Sequence, residues 1–291
     1  MIERISSPLK TKEIIEKNNF YFKKNFGQNF LIDSNILDNI ISAANITKDD
    51  FVLEIGPGIG SLTQYLAESA GKVVAVEIDN NLIPILKETV GGYDNLEIIN
   101  EDILKLDINA LVDEKNNGNP IKVVANLPYY ITTPIIMELL EKKVNVESIT
   151  VMVQREVAAR MQATAGTKDY GALSVAVQFY SDAKTDFIVP PNCFMPRPTV
   201  DSAVITLNLL NKQKVEIIDQ DFMFHIVKCA FGQRRKTLMN TLNNLGKLNI
   251  SKEEITEAIT SIGVSEKIRG EALTIQQFAL LSDELYRRSK K

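Results

Sequence analysis

The stretch FVLEIGPGIGSL, residues 51–62, decides the fold. Its first five residues read as a short buried strand. Gly56, Gly58 and Gly60 follow at alternate positions, where they let the backbone turn tightly and approach a ligand closely. A helical pattern, SLTQYLAESA, then begins at Ser61, and a helix start offers N–H groups that have no partner within the helix. Strand, glycine turn and helix in that order form one βα unit.

The unit repeats outward along the chain. KVVAVEI is a second strand and NNLIPILKETV a helix; LEIIN and KVVAN are a third and a fourth strand. TPIIMELLEKK is the next helix, and SITVMVQ the next strand. Such alternation predicts a mainly parallel sheet covered on both faces, an α/β, Rossmann-like architecture. Upstream, Asp33 or Ser34 is placed to cap a helix in NILDNIISAAN. After residue 180, AKTDFIVP and SAVITLNLL read as two neighbouring strands that close the sheet. Beyond about residue 211 the strand signal ends, and DQDFMFHIVKCAFG, RKTLMNTLNNL, KEEITEAITSIG and TIQQFALLSDELYRR are amphipathic helical segments. Residues 1–210 are therefore expected to form the α/β domain and residues 211–291 a small all-helical one.

The glycine spacing narrows the ligand. A dinucleotide fingerprint, G-x-G-x-x-G, would need glycine at position 61, where Ser61 stands. The spacing here is G-x-G-x-G with Glu54 just before it, which suits a cofactor without a pyrophosphate, such as S-adenosylmethionine. Glu77 ends the second strand about 20 residues after the loop, where a carboxylate can accept from both ribose hydroxyls. Asp102 follows the third strand and can accept from an adenine amino group. Singly, each acid could be a helix cap or a turn residue. Together they lie on successive strand ends of one sheet, where open α/β folds bind ligands.

The fourth strand ends in NLPYY, residues 126–130. Asn126 and the backbone carbonyl of Leu127 can accept hydrogen bonds from an exocyclic amine. Pro128 holds the loop rigid, and Tyr129 can lie against the face of a base. Adenine N6 is a poor nucleophile because its lone pair is delocalised into the ring. Two acceptors on its hydrogens favour a pyramidal nitrogen, so methyl transfer needs mainly positioning and desolvation.

Taken together, EIGPGIG, VEID, NEDIL, NLPYYITTPI, KKNFGQNFLID, FMPRPTVDSAV and FGQRRKTLMNTL resemble the small-subunit ribosomal RNA adenine dimethyltransferases (KsgA/RsmA type), in the family's order, from about residue 20 to 285. The resemblance implies S-adenosylmethionine as methyl donor. The substrate it implies is two adjacent adenosines near the 3′ end of 16S rRNA in the immature small subunit, each made N6,N6-dimethyladenosine. It also implies that Asn29 and Leu31, in a segment of about residues 20–35, fold over the cofactor with Gly56, Glu77, Asp102 and Asn126. Phe194 would stack on the target adenine opposite Tyr129, consistent with the way extruded bases are held between aromatic or apolar faces; its other reading is a loop aromatic covering the core.

Composition sets the outer limits. Of 291 residues, 45% are hydrophobic and 24% charged, enough for a real core. Cys193 and Cys229 give neither a disulfide framework nor a metal spacing, so the cytoplasm and no metal are expected. No apolar run reaches the about 20 residues that span a bilayer, so no membrane attachment is expected, and the expected state is a monomer. His225 lies among apolar neighbours and reads as a core or partly buried residue rather than a catalyst. Net charge is −4, but unevenly distributed: residues 1–30 carry +3, residues 31–150 carry −11 and residues 211–250 carry +4. Arg234, Arg235 and Lys236 cluster in that last segment, either as a solvated helix start or as contacts to rRNA phosphates. Two rival readings stay open. One is a large-subunit (23S) rRNA adenine methylase of the macrolide-resistance type; the other is a non-catalytic RNA-binding assembly factor on the same fold.

Overall fold

The computed structural model describes residues 4–23, 27–142, 144–243 and 250–290. After α1 (Pro8–Lys17) and the two-residue β1 (Phe30–Leu31) come α2 (Ser34–Ala43), β2 (Phe51–Ile55), α3 (Ser61–Ser69), β3 (Lys72–Glu77), α4 (Leu82–Thr89) and β4 (Leu96–Asn100). Next are α5 (Ile108–Asn116), β5 (Ile121–Asn126), α6 (Thr132–Glu141), β6 (Val146–Gln154), α7 (Arg155–Gln162) and α8 (Ala172–Tyr180). The chain continues through β7 (Ser181–Val189), β8 (Phe194–Met195) and β9 (Ser202–Leu209). Four helices follow: α9 (Gln220–Gly232), α10 (Leu238–Asn243), α11 (Lys252–Ser261) and α12 (Ile275–Ser289). Of the helical pattern RKTLMNTLNNL, residues 244 and 245 fall outside the described residues.

Seven strands form the main sheet in the order β4-β3-β2-β5-β6-β9-β7. The strands β4, β3, β2, β5 and β6 run parallel, with Leu53 of β2 opposite both Val74 and Val123. β9 returns antiparallel to β6, placing Ile205 opposite Val151. All five residues of β2 are buried, as are Val73–Glu77 of β3 and Ile121–Ala125 of β5. Such continuous apolar runs mark strands covered on both faces. Strand order reverses between β2 and β5, since β3 lies on one side of β2 and β5 on the other. That switch point opens a crevice at the carboxyl ends of the strands.

α2 is capped by Asp33, whose carboxylate accepts from the Asn35 and Ile36 N–H groups. Capping boxes begin α11 at Ser251 and α12 at Thr274.

The described chain divides into two compact units, one ending at Ala158 and resuming over Ala183–Leu209, the other comprising Ala159–Asp182 and the chain from Leu210 onward. The last crossing falls at 209/210, but the expected division at 210/211 leaves out the earlier excursion. Residues 159–182 join the helical unit because α8 packs on α9: Phe179 and Tyr180 meet Phe224, the Tyr180 ring stacking on it at 5.4 Å. A second correction concerns His225, which is exposed on α9 while Met223, Ile226 and Val227 face the core. Among the described residues no helix is long and apolar enough to cross a membrane.

Candidate active site

The glycine loop lies at the carboxyl end of β2. Gly58 has φ +64°, and a Cβ there would lie 2.9 Å from Cε1 of Phe30. Any other residue would displace that ring or strain the backbone. Gly60, at φ +95°, is the N-cap of α3, and no side chain caps that helix start. The first N–H groups of α3 are therefore available to an acceptor such as a carboxylate. Ser61, the next residue, has a buried hydroxyl with no hydrogen-bond partner among the described residues.

The carboxyl end of β3 carries two linked acids. Glu77 accepts from the Gly58 N–H through Oε2 at 3.1 Å and from the Asp79 N–H through Oε1 at 2.8 Å. It thereby fixes the glycine loop while retaining lone pairs on both oxygens. Burial pushes its pKa up, the backbone N–H donors acting against the shift. Asp79 is 2% exposed and accepts from Lys23 Nζ at 2.8 Å and from Gln28 Nε2 at 3.0 Å. Burial raises the Asp79 pKa, but Lys23, the Asn81 N–H and Gln28 overcome it, and the carboxyl lies below its usual range. These contacts tie the segment that precedes β1 to the end of β3. Within that segment, residues 24–26 fall outside the described ones.

At the end of β5, Asn126 Nδ2 donates to the backbone carbonyl of Asn29 at 3.0 Å. One of the two amide hydrogens is thus used, which orients the side chain and leaves Oδ1 open as an acceptor for a ligand. The Leu127 N–H donates to the Met152 carbonyl of β6, and the Pro128 carbonyl accepts from the Ile131 N–H, which fixes the loop on both sides. Tyr129 is half-buried, and its hydroxyl shares a 2.8 Å hydrogen bond with Ser202 of β9.

One pocket collects these groups. Asn29, Leu31, Gly56, Gly58, Glu77, Asp102, Asn126, Leu127, Pro128 and Tyr129 all line it. Gly60 lies behind the wall as the helix cap. Several lining residues had no role assigned from sequence. Gln28 carries the tie to Asp79, and Tyr130 stands 54% exposed beside Gly27. Ile78, directly after Glu77, and Ile103, directly after Asp102, add apolar wall. Their signal was positional, since each follows an acid at a strand end. Glu54 is a further case: it is 1% exposed, and its Oε2 is buried without a hydrogen-bond partner among the described residues. Burial pushes its pKa up to about 8, with Thr63 lowering it and the Glu77 charge raising it further.

Phe194 is absent from the pocket wall. It sits in β8 opposite Leu31, 3% exposed, within the core cluster that includes Leu37, Leu62 and Val204. Its apolar ring is better covered there than at a solvent-facing mouth. Arg234, Arg235 and Lys236 lie in the turn between α9 and α10, not on a helix, and all three are exposed.

A family model described as ribosomal RNA adenine dimethylase matches residues 19–286. This chain belongs to the ribosomal RNA adenine dimethylase family. A ribosomal RNA small subunit methyltransferase A from Lachnoclostridium phytofermentans is 60% identical to this dimethylase over 280 residues, 96% of this chain and 97% of that one. Among solved structures, a dimethyladenosine transferase from Plasmodium falciparum matches with a TM-score of 0.70 and 28% identity, covering 87% of this chain and 95% of that one. The 23S rRNA methyltransferase ErmE matches with a TM-score of 0.64 and 27% identity, over 89% of this chain and all of that one (100%).

The dimethylase uses S-adenosylmethionine, and the pocket fits that cofactor. Glu77 offers acceptors suited to ribose hydroxyls, and the uncapped start of α3 offers donors for a carboxylate. Glu54 provides an unpartnered buried carboxyl in the same pocket.

Proposed function

We propose that this dimethylase methylates N6 of two adjacent adenosines near the 3′ end of 16S rRNA, acting in the cytoplasm on the small subunit late in its assembly. The substrate follows from the 60% identity to a small subunit methyltransferase across nearly both chains, against 27% to the 23S enzyme. The single observation that carries the chemistry is the Asn126–Asn29 hydrogen bond at the mouth of the strand-end pocket.

Bound there, S-adenosylmethionine supplies an electrophilic methyl group on a sulfonium sulfur. Glu77 holds the ribose hydroxyls, and Asp102 accepts from the cofactor's adenine amine. Asn29 and Leu31 cover the site, held down through Asn126 and the Asp79 ties. The target adenine lies against Tyr129, whose hydroxyl is tethered to Ser202. In the first transfer Asn126 Oδ1 and the Leu127 carbonyl would accept the two N6 hydrogens, and in the second one of them would hold the single hydrogen that remains, keeping the nitrogen lone pair localised for attack. Transfer would break the sulfur–carbon bond, leaving a neutral thioether, and form the carbon–nitrogen bond; the positively charged nitrogen is then strongly acidic and passes its proton to water, so no strong base is required. Phe194 serves as the second face for the base only if its ring swings out of the core cluster; its apolar support of β1 is the role its burial favours.

The test is nucleoside mass spectrometry. Unmethylated small and large subunits are incubated separately with the protein and labelled S-adenosylmethionine, then digested. Label in N6,N6-dimethyladenosine from the small subunit alone supports the reading. Label appearing only from the large subunit would replace it with the macrolide-resistance activity, and no label from either would favour a non-catalytic factor.

A further inference from the structure

The loop that ends β5 carries two adjacent tyrosines, and they turn opposite ways. The Tyr129 hydroxyl is bonded to Ser202 of β9 at 2.8 Å, toward the β6–β9 side of the sheet. Tyr130 turns back toward β3 and β4. A Cβ on Gly27, in the segment before β1, would lie 3.4 Å from Cδ1 of the Tyr130 ring. Burial raises the Tyr130 pKa, and the charges of Asp102 and Glu77, just past β4 and at the end of β3, raise it further. The turn beneath the ring is fixed, since the Ile131 N–H and the Thr132 hydroxyl both donate to the Pro128 carbonyl, at 3.2 and 3.1 Å.

Most of the pocket wall is buried or half-buried. Three lining residues are exposed, and each follows a different strand: Ile78 after β3, Glu101 after β4 and Tyr130 after β5. They make the rim, where Ile78 is 43% and Tyr130 54% exposed. A single exposed aromatic residue on a surface needs no explanation. Here, however, the ring is held on a fixed turn at the edge where Glu77 and Asp102 stand. A nucleoside held by those two acids is the surface that it can cover.

We propose that Tyr130 is a binding residue for S-adenosylmethionine, closing over the nucleoside of the cofactor while Tyr129 serves the target base. The assignment rests on the reading that the cofactor's ribose and adenine lie against Glu77 and Asp102. An aromatic ring laid on a nucleoside adds apolar contact and excludes water without a directed bond. Dimethylation of two adenosines also requires spent cofactor to leave and fresh cofactor to enter between transfers. A cover made of one side chain on the rim sets how long the cofactor stays without disturbing Asn126 and Leu127, which hold the amine. S-adenosylmethionine and its product S-adenosylhomocysteine share the nucleoside, so Tyr130 contributes equally to both.

The experiment measures binding of S-adenosylmethionine and S-adenosylhomocysteine to the full chain by calorimetry, with dissociation rates from rapid dilution of the labelled compounds. Tyr130→Ala should weaken both ligands about fivefold, within the range for one lost aromatic contact, and the loss should appear as faster dissociation. Tyr130→Phe keeps the ring and should stay within about twofold of the parent. Both variants should keep the parent's thermal midpoint, since the side chain is exposed. Normal binding of both ligands by Tyr130→Ala, with weakened binding by Glu77→Ala, would overturn the role of Tyr130 and leave the pocket standing. Normal binding by Glu77→Ala as well would remove the reading of the pocket on which the proposal rests. Weakening confined to S-adenosylmethionine would place the ring at the sulfonium and overturn the nucleoside assignment. Loss of affinity for unmethylated small subunits, with both cofactor affinities intact, would make Tyr130 an RNA contact instead.

Discussion

Asn126 Nδ2 donates to the carbonyl of Asn29, a residue 97 positions earlier in the chain. The bond joins the end of β5 to the segment before β1, so the amide we propose to face the substrate also holds that segment in place. Asn126→Asp is expected to break both functions, because a carboxylate has no hydrogen to donate and would face the Asn29 oxygen with like partial charge. We expect S-adenosylmethionine affinity to fall about tenfold, the cost of losing a bond and leaving an acceptor unpaired being about 1–3 kcal/mol. Isothermal calorimetry checks this; unchanged affinity would mean that the cover is held by other contacts.

Glu77 supports the glycine loop, besides the ribose contact we propose for it. Glu77→Ala leaves the buried Gly58 and Asp79 N–H groups without their acceptor. Cofactor affinity should fall at least tenfold, and stability by about 1–3 kcal/mol. Glu77→Gln, which can still accept through one oxygen, should recover part of the stability. A denaturant melt alongside calorimetry separates the two effects.

The Glu54 carboxyl makes stability depend on pH in a defined direction. Unfolded, it ionises near about 4.3; folded, at about 8. Between those values the folded state holds a proton that the unfolded state lacks, so this group's contribution falls as pH rises from about 5 to about 8. Glu54→Gln removes the titration, and relative to the parent it should be more stable at pH 8 than at pH 5 by roughly 1–3 kcal/mol. A variant whose stability follows the parent's pH curve would contradict a neutral Glu54. A cation bound in the pocket favours the ionised carboxyl, so cofactor binding near pH 7 should release a fraction of a proton, readable in buffers of different ionisation enthalpy.

The Asp79 carboxylate is absent from the pocket wall and ties Lys23 and Gln28 of the covering segment to the end of β3. Asp79→Ala should raise KM for S-adenosylmethionine several-fold while leaving kcat within about twofold, the pattern for lost binding that is uniform between ground and transition states. Lys23→Met should reproduce part of the effect. Because the Asp79 pKa is depressed, the same weakening should develop in the parent as pH falls through the acid range and the carboxyl protonates. A fall in kcat with KM unchanged would instead put Asp79 in the chemistry.

The parallel sheet was legible because strands of Val and Ile buried on both faces leave few alternatives, and the strand-end residues followed from it. Glu77, Asp102 and Asn126 follow from the sequence to one pocket, since a parallel sheet brings its carboxyl ends to one edge. The Asp79 hub was not legible: its donors come from 51 and 56 residues away, and no local pattern specifies such a pairing. The same holds for α8, whose LSVAVQFY reads as easily as a buried strand as a helix and whose partner, Phe224, lies in α9. Phe194 was ambiguous because a loop aromatic has the same sequence signature whether it covers a core or a ligand. His225 misled because a helix 3.6 residues per turn can turn one polar residue outward from an apolar run.

The central claim is that Asn126 supplies the acceptor that activates the target amine, and single-turnover methyl transfer to unmethylated small subunits tests it most directly. With S-adenosylmethionine saturating and particle binding verified, Asn126→Ala should lower the rate about 10²–10³-fold, as for loss of one preorganised transition-state contact. A rate above half that of the parent, under the same saturation, would contradict the account and place the amine in the hands of other groups.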